Sequence, residues 1–309
     1  GAEGLGNLAV IHRIGYANQS RSHFDSQDYW EVGSPGDDRL REGMFYRRLA
    51  QCYDLEDPDN AFLAASISSN EILSLRGSKP FPNFNESAEF GFLGSEASKT
   101  KFLGSLPSEE GAGDGKGILG LYGDSPLFKG RNYHDRMHDT GRALGGSIAT
   151  VQQAIANGYT PANGAVYPNG SFGDKLQEAA MLLKNTPVKV IGINKGGWDT
   201  HSGQANNQAN LLGDLAQGFQ ALARDLRDQW EDVIVVTMTE FGRTSEENGS
   251  RGTDHAEASA MFVAGGGVKG GVYNCDATTW KPGAMFSKRE RYLARNTDFR
   301  SVFGEIFMN

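Results

Sequence analysis

Two apolar, β-branched runs on either side of one long amphipathic helix set the fold class of this chain. Residues 188–193 and residues 232–238 are continuous enough to predict strands buried in a sheet. Between them, apolar side chains recur at helical spacing over residues 208–230. This strand, helix, strand succession predicts an α/β fold with a mainly parallel sheet between helices.

Apolar periodicity predicts further elements on both sides of that unit. Strands are predicted at residues 8–14 and 260–264, and helices at residues 25–31, 40–53, 132–156 and 172–184. Periodicity weakens between residues 56 and 130, which indicates an irregular insertion, within which residues 72–75 are a candidate strand. Thr297 is predicted to cap a terminal helix. We therefore expect one α/β domain over residues 1–309.

Composition narrows the classes of partner. The chain has 309 residues and a formal net charge of -8, which argues against a nucleic acid bound through a broad basic face. No run approaches the roughly 20 apolar residues that a membrane-spanning helix needs. Cys52 and Cys275 form no CxxC pair, and they are either one disulfide or two buried thiols.

Carboxylates and imidazoles follow or precede the predicted strands. Asp199 and His201 leave the first strand after two glycines, and in an extended segment both would point to one side. Glu240 follows the second strand, and Asp254 with His255 precedes the third. We expect these three consecutive strand ends to bring the five side chains to one edge of the sheet. There they predict a site for divalent metal ions, with zinc preferred and calcium, magnesium or manganese as alternatives. The competing interpretation is that Asp199 caps the following helix.

A nucleophile and an anion clamp are predicted beside these ligands. Ser20 and Ser22 precede the helix at residues 25–31, where the positive helix end would stabilise an attacking alkoxide. Arg21 or Arg243 could hold the equatorial oxygens of a tetrahedral anion. Ser20 is equally explained as an ordinary N-cap. His23 is interpreted as a residue that orients this loop.

Seven short motifs are distributed over nearly the whole chain. They are NQSRSHF at residues 18–24, SFG at 171–173, GGWDTH at 196–201, TEFGRT at 239–244, NGSRGTDH at 248–255, GGGVKGG at 265–271 and TDFR at 297–300. In these motifs the chain resembles the family called domain of unknown function 1501.

The resemblance implies a fold and an activity. That family is placed in the alkaline phosphatase and sulfatase superfamily, which implies a three-layer sandwich and hydrolysis of a small anionic phosphate or sulfate ester by a serine nucleophile. Asp199 and His201 would then bind one metal ion, and His255 would be the late histidine before a strand. Family members often carry a twin-arginine leader, which implies export to the periplasm or the exterior. Their first strand carries a Gly-Gly-x-Asp ligand, and the resemblance implies that this strand would precede Gly1.

One motif departs from the superfamily pattern. Where superfamily members usually have Asp-His at the end of a strand, this chain has Glu240 and Phe241. The alternative function is therefore a non-catalytic extracellular binding or assembly protein that retains the hydrolase fold. Ligands further apart than about 6 Å would favour that alternative, because metal ions in a two-metal site lie about 3.5–4 Å apart.

Overall fold

The structure is a computed structural model that describes residues 7–91, 95–104, 117–118, 132–156, 158–278, 280–281, 283–287 and 290–308. The chain divides into two compact units. The first comprises Gly1–Met44, Pro161–Ala180 and Asn194–Asn309, and the second comprises Phe45–Thr160 and Met181–Ile193. Among the described helices, none combines the length and apolarity needed to cross a bilayer.

Helices and strands are mixed along the chain. In order they are β1 (Leu8–Gly15), α1 (His23–Val32), α2 (Met44–Cys52), β2 (Ala64–Ile67), β3 (Asn83–Phe84), α3 (Glu96–Leu103), α4 (Asn132–Ile155), α5 (Ser171–Asn185), β4 (Val190–Ile193), α6 (Gln204–Asp225), β5 (Ile234–Val236), β6 (Ser259–Gly265), β7 (Gly271–Tyr273), β8 (Thr297–Asp298) and α7 (Phe299–Met308). The predicted α/β class is confirmed.

The strand predicted at residues 72–75 is wrong, because Leu73–Leu75 forms a 3₁₀ turn. Much of the predicted insertion, at residues 92–94, 105–116 and 119–130, lies outside the described residues.

The first unit is built on a mixed sheet with strand order β5-β6-β1-β7. β1 pairs antiparallel with β6 and parallel with β7, while β8 joins the end of β1 in a parallel pair. β5 pairs antiparallel with β6. The prediction of a mainly parallel sheet is therefore wrong for this unit.

The second unit contains a small parallel sheet with order β3-β2-β4. Every residue of β2 is buried. A cluster of buried side chains packs in this unit, comprising Tyr46, Leu49, Leu63, Ala64, Leu75 and Phe81. Cys52, in this unit, is an exposed free thiol, and Cys275, in the first, is a partly buried one. Neither of the two predicted alternatives, a disulfide or two buried thiols, is therefore correct.

The two strands that set the fold class do not share a sheet. β4 pairs with β2, whereas β5 pairs with β6. An apolar run indicates that a strand is buried, but strand pairing depends on which distant segment supplies the matching edge. The predicted single row of consecutive strand ends is therefore wrong, and the candidate site must be assembled in another way.

Aromatic packing fixes α1 against α7 in the first unit. The rings of Trp30 and Phe299 stack with centroids 4.2 Å apart, and both residues are almost fully buried. Tyr16 and Phe303 meet the same Phe299 ring edge-on. Such aromatic pairs stabilise a core by more than the burial of their apolar surface alone would. This packing holds the beginning of α1 in a defined position.

Asp225, at the end of α6, is a buried carboxylate that anchors a neighbouring loop. It is 2% exposed and accepts hydrogen bonds from Ala162 N at 2.8 Å and from the Tyr167 hydroxyl at 2.7 Å. Replacing Asp225 with alanine is expected to lower the free energy of unfolding by about 2–4 kcal/mol, because both donors lose a charged acceptor. Tyr167→Phe should cost about 1 kcal/mol. Urea denaturation of both variants measures the difference, and equal losses would contradict it.

Asp298, rather than Thr297, caps α7. Its carboxylate accepts from Arg300 N at 3.1 Å and from two guanidinium nitrogens of Arg300, each at 2.8 Å. The Arg300 hydrogen bonds lower the pKa of Asp298, against an opposing effect of burial. Thr297 instead pairs with Ile14 in the sheet, so the predicted cap was one residue early.

The charge on Asp298 makes part of the stability pH-dependent. Because its pKa is lowered in the folded chain, its contribution is present above its unfolded pKa of about 3.9 and is lost as pH falls through the folded value. Asp298→Ala should cost about 1 kcal/mol at neutral pH, and this loss should shrink below about pH 4. Asp298→Asn, which keeps a capping oxygen, should cost less. Thermal unfolding at several pH values tests both, and a pH-independent loss would contradict the prediction.

Candidate metal centre

The loop between β1 and α1 is held by a buried tyrosine and by a glutamine. The Tyr16 hydroxyl lies 2.9 Å from Ser26 Oγ and accepts a hydrogen bond from Ser20 N at 2.9 Å. Burial raises the pKa of Tyr16, so the hydroxyl stays neutral near pH 7. Gln19 Nε2 donates to the backbone oxygen of Glu240 at 2.8 Å. These bonds fix the segment that carries the candidate nucleophiles.

The two candidate serines have different environments. Ser22 is the N-cap residue of α1, but its hydroxyl makes no capping hydrogen bond and contacts no other partner within the described part of the chain. Ser20 Oγ accepts from Ser22 N at 3.1 Å. A hydroxyl at a helix N-terminus lies in the positive end of the helix dipole. Ser22 therefore has the uncommitted hydroxyl, while Ser20 stabilises the loop.

Two loops supply the other predicted residues, and they pair directly with one another. Thr253 N donates to Thr200 O at 3.1 Å, and Asn248 Nδ2 donates to His201 O at 3.0 Å. A Cβ on Gly252 would lie 2.2 Å from the His201 backbone, so glycine permits this close approach. Pairing of these loops, rather than a shared sheet edge, brings the two ligand-bearing segments together.

Three imidazole nitrogens converge on the Asp199 carboxylate. His201 Nε2 and His255 Nε2 each lie 2.9 Å from Asp199 Oδ1, and His23 Nε2 lies 3.3 Å from Oδ2. The Nε2 atoms of His201 and His255 are 3.0 Å apart. Of the predicted metal ligands, Asp199, His201 and His255 therefore come together, and His23 joins them.

Each of these imidazoles turns its other nitrogen, Nδ1, towards an oxygen atom. The pairs are His23 with Glu240 Oε1 at 2.7 Å, His201 with Asp254 Oδ1 at 3.3 Å, and His255 with Arg21 O at 3.0 Å. An acceptor at Nδ1 favours a proton there and leaves the Nε2 lone pair facing the centre, as in metal-binding histidines. Glu240 and Asp254, predicted as ligands, thus contact the histidines from behind.

This donor set fits a transition-metal ion. His23, Asp199 and His255 each offer one ligand atom, and these atoms lie within 4.8 Å of one another. Two nitrogens bound to zinc at about 2.0–2.1 Å in a tetrahedral site would be roughly 3.3 Å apart, close to the 3.0 Å between His201 and His255. Imidazole donors suit zinc better than calcium or magnesium, which take oxygen ligands.

Arg243 positions Asp199. One guanidinium nitrogen of Arg243 donates to Asp199 Oδ1, and the other two donate to Thr253, at Oγ1 and at the backbone oxygen. Partial burial raises the pKa of Asp199, but its contacts with the guanidinium of Arg243 and with His255 outweigh this effect and lower the pKa to about 2. Asp199 is therefore ionised at neutral pH, as a metal ligand must be. With all its nitrogens engaged, Arg243 is better suited to positioning than to clamping an anion.

Asp254 is also kept ionised by its neighbours. Asn248 Nδ2 donates to Oδ1 at 3.2 Å, His201 contacts the same oxygen, and Arg291 reaches Oδ2 at 3.2 Å. The hydrogen bond from Asn248, followed by that from His201, lowers the pKa of Asp254. Asp254 therefore links His201 to Arg291 as a charged bridge.

An open cavity of about 600 Å³ lies beside the centre. Its lining includes Arg21 and Ser22, which precede α1, the residues His201, Asp254 and His255, and the neighbouring pair Arg291 and Tyr292. The cavity therefore combines a free hydroxyl, imidazoles and two guanidinium groups, which suits an anionic ligand.

Three residues of the site, His23, Arg291 and Tyr292, are not predicted as functional residues from the sequence. His23 was interpreted as orienting the loop, although its place at the start of the helix after two candidate serines was a usable signal. Arg291 and Tyr292 lie in no motif. They reach the site because Ser245 N donates to Arg291 O at 2.9 Å, a contact between distant segments.

Comparison with known proteins supports one part of the sequence-based assignment. Neither curated proteins nor solved structures gave a match to the chain. A family model described as "Protein of unknown function (DUF1501)" matches residues 145–284. That range includes Asp199, His201, Glu240, Asp254 and His255. Over these residues, which make up less than half of the chain, the sequence is similar to the DUF1501 family.

Proposed function

We propose that this protein is a metal-dependent hydrolase of phosphate or sulfate esters. The observation that carries the proposal is the convergence of three Nε2 atoms on the Asp199 carboxylate. The adjoining cavity, with Ser22 and Arg21 in its lining, adds a nucleophile and an anion-binding group. Metal ligands, hydroxyl and guanidinium in one place are the groups that this chemistry requires.

The chain's own residues account for binding and attack. Arg21 has guanidinium donors in addition to the one bonded to Tyr292, and it would bind the oxygens of the ester anion. Ser22 Oγ would attack phosphorus or sulfur, forming a new ester bond as the bond to the leaving alcohol breaks. Water would then hydrolyse the serine ester and restore Ser22. A bound divalent cation supplies Lewis-acid polarisation of an ester oxygen and favours an ionised hydroxyl nearby.

The proposal also includes the detailed fold, the preferred metal ion, the cellular location and the substrate class. The alkaline phosphatase-like three-layer sandwich and the wider superfamily rest on the resemblance of the motifs. Zinc is the preferred ion because the converging donors are mostly nitrogen. Export to the periplasm or the exterior rests on the same resemblance, and a small anionic ester is the proposed substrate.

A second candidate is a non-catalytic binding or assembly protein. Phe241 stands where superfamily members usually have histidine, and its ring packs against His23 and His255 with centroids 4.8 Å and 4.3 Å apart. An aromatic ring in that position leaves no imidazole for a second metal ion there. This feature favours either a one-metal enzyme or a chain that has lost activity.

Metal content and ester hydrolysis separate the two candidates. The chain is stripped with a chelator, reloaded with zinc or manganese, and assayed with 4-nitrophenyl phosphate, bis(4-nitrophenyl) phosphate and 4-nitrophenyl sulfate. The hydrolase requires one bound ion and turnover that the chelator abolishes and the ion restores. Asp199→Ala should lose both. A wild-type chain that binds no ion and hydrolyses no ester would reject the hydrolase in favour of the second candidate.

A further inference from the structure

Arg291 brings unused hydrogen-bond donors to the cavity. One guanidinium nitrogen bonds Asp254 Oδ2 at 3.2 Å, whereas the buried Nε has no hydrogen-bond partner. Within the described residues, the remaining terminal nitrogen of Arg291 has no partner either. A buried unpaired donor such as Nε is costly. The second terminal nitrogen belongs to a side chain that is 40% exposed, so an acceptor in the cavity can reach it.

Arg21 and Arg291 are held over the same aromatic side chain. Their guanidinium carbons lie 5.4 Å and 5.9 Å from the centre of the Tyr292 ring, and Arg21 also donates to the Tyr292 hydroxyl at 2.6 Å. Tyr292 is 4% exposed, so its ring is a fixed platform. Two guanidinium groups gathered in one cavity repel each other unless anions lie between or beside them. Asp254 supplies one carboxylate, which pairs with Arg291, for the two guanidinium groups of Arg21 and Arg291.

Arg291 is set back from the metal-facing nitrogens. Asp254 separates Arg291 from His201 Nδ1, and the imidazole ring of His201 separates Nδ1 from Nε2. Arg21, by contrast, directly precedes Ser22 in the chain, and its backbone oxygen lies 3.0 Å from His255 Nδ1. An anion bound at the Nε2 cluster would therefore be served by Arg21, while an acceptor for Arg291 would lie further along the cavity.

We infer that the substrate carries a second, non-reacting anionic group, and that Arg291 is the specificity residue that binds it. The substrate class is an ester whose alcohol part bears a carboxylate, phosphate or sulfate. This inference rests on the proposed hydrolysis of an anionic ester at the same site. Tyr292 positions Arg21 and Arg291 so that both anionic groups of one molecule are bound in the cavity.

Matched non-hydrolysable ligands test the second anionic group without relying on turnover. Binding of phenylphosphonate and 4-phosphonobenzoate to the zinc-loaded full chain is measured by calorimetry, with benzenesulfonate and 4-sulfobenzoate as the sulfur pair. The carboxylate should raise affinity on the order of tenfold in at least one pair, as a charge-assisted hydrogen bond in a half-buried site would. Arg291→Gln should abolish that preference, so that the two ligands of each pair bind with equal affinity.

Control variants separate recognition from folding and from net charge. Arg39→Gln removes one positive charge from an exposed pair with Asp37, outside the cavity lining, and should keep the preference. Arg291→Lys should restore part of it, and circular dichroism should show that each variant is folded. Equal affinities within both wild-type pairs, or a preference that survives Arg291→Gln, would overturn the inference. Preference without hydrolysis of any ester would reject the hydrolase and leave the anion site standing.

Discussion

Replacing His23 with alanine is expected to weaken divalent-metal binding by more than about 10²-fold. His23 Nε2 lies 3.3 Å from Asp199 Oδ2, and its ligand atom is grouped with those of Asp199 and His255. Removing a ligand should exceed the roughly 10–100-fold loss that removing an outer hydrogen-bond partner causes. Competition with a chelating indicator measures the affinity of the full chain for zinc and manganese.

Two further variants serve as comparisons for His23→Ala, one with a smaller expected loss of metal affinity and one with none. Glu240→Gln changes the group 2.7 Å from His23 Nδ1 and should cost about 10–100-fold in affinity. His12→Ala removes a histidine of β1 that packs against Trp280, and it should leave metal binding unchanged. If His23→Ala binds metal as tightly as the wild type, His23 is only a loop residue, as the sequence first suggested.

Replacing Ser22 with alanine is expected to reduce ester hydrolysis on the order of 10³-fold or more, because the nucleophile of a covalent mechanism cannot be replaced by its neighbours. Metal content should not change, since Ser22 contacts none of the converging ligand atoms within the described structure. Stability should change by less than about 0.5 kcal/mol, because the Ser22 hydroxyl makes no capping hydrogen bond. Steady-state kinetics, metal analysis and thermal unfolding measure these three quantities.

Ser20→Ala is the matched control. Its hydroxyl accepts from Ser22 N at 3.1 Å, so its removal should loosen the loop and lower the rate by less than about tenfold. The opposite ranking, with Ser20→Ala inactive and Ser22→Ala active, would assign the nucleophile to Ser20. A stability loss of about 1 kcal/mol in Ser22→Ala with no effect on rate would make Ser22 an ordinary cap.

Secondary structure was largely accessible from local periodicity. The helix predicted at residues 132–156 is Asn132–Ile155, and that predicted at residues 172–184 is Ser171–Asn185. The strand at residues 260–264 is Ser259–Gly265. These elements were predictable because one apolar face recurs at a fixed spacing within a few turns or residues. The helix predicted at residues 208–230 ends at Asp225, and a 3₁₀ segment, Arg227–Asp232, follows.

Strand pairing was not accessible in the same way. β4 and β5 have similar apolar sequences, yet one lies in the small parallel sheet and the other at the edge of the mixed sheet. Their partners, β2 and β6, differ in direction as well as in position along the chain. Nothing within either run encodes the direction of a strand that is far away in sequence.

The sequence by itself determined the mixed α/β class and placed Asp199, His201 and His255 in short motifs that suit a metal site. Only the tertiary structure decided that His23 joins them, that Glu240 and Asp254 contact imidazole Nδ1 atoms, and that Arg291 lines the cavity. The physical reason is the distance along the chain over which the interactions act. Periodicity and motifs report interactions over a few residues, whereas the donor and acceptor of a site are matched through loop contacts between segments up to hundreds of residues apart.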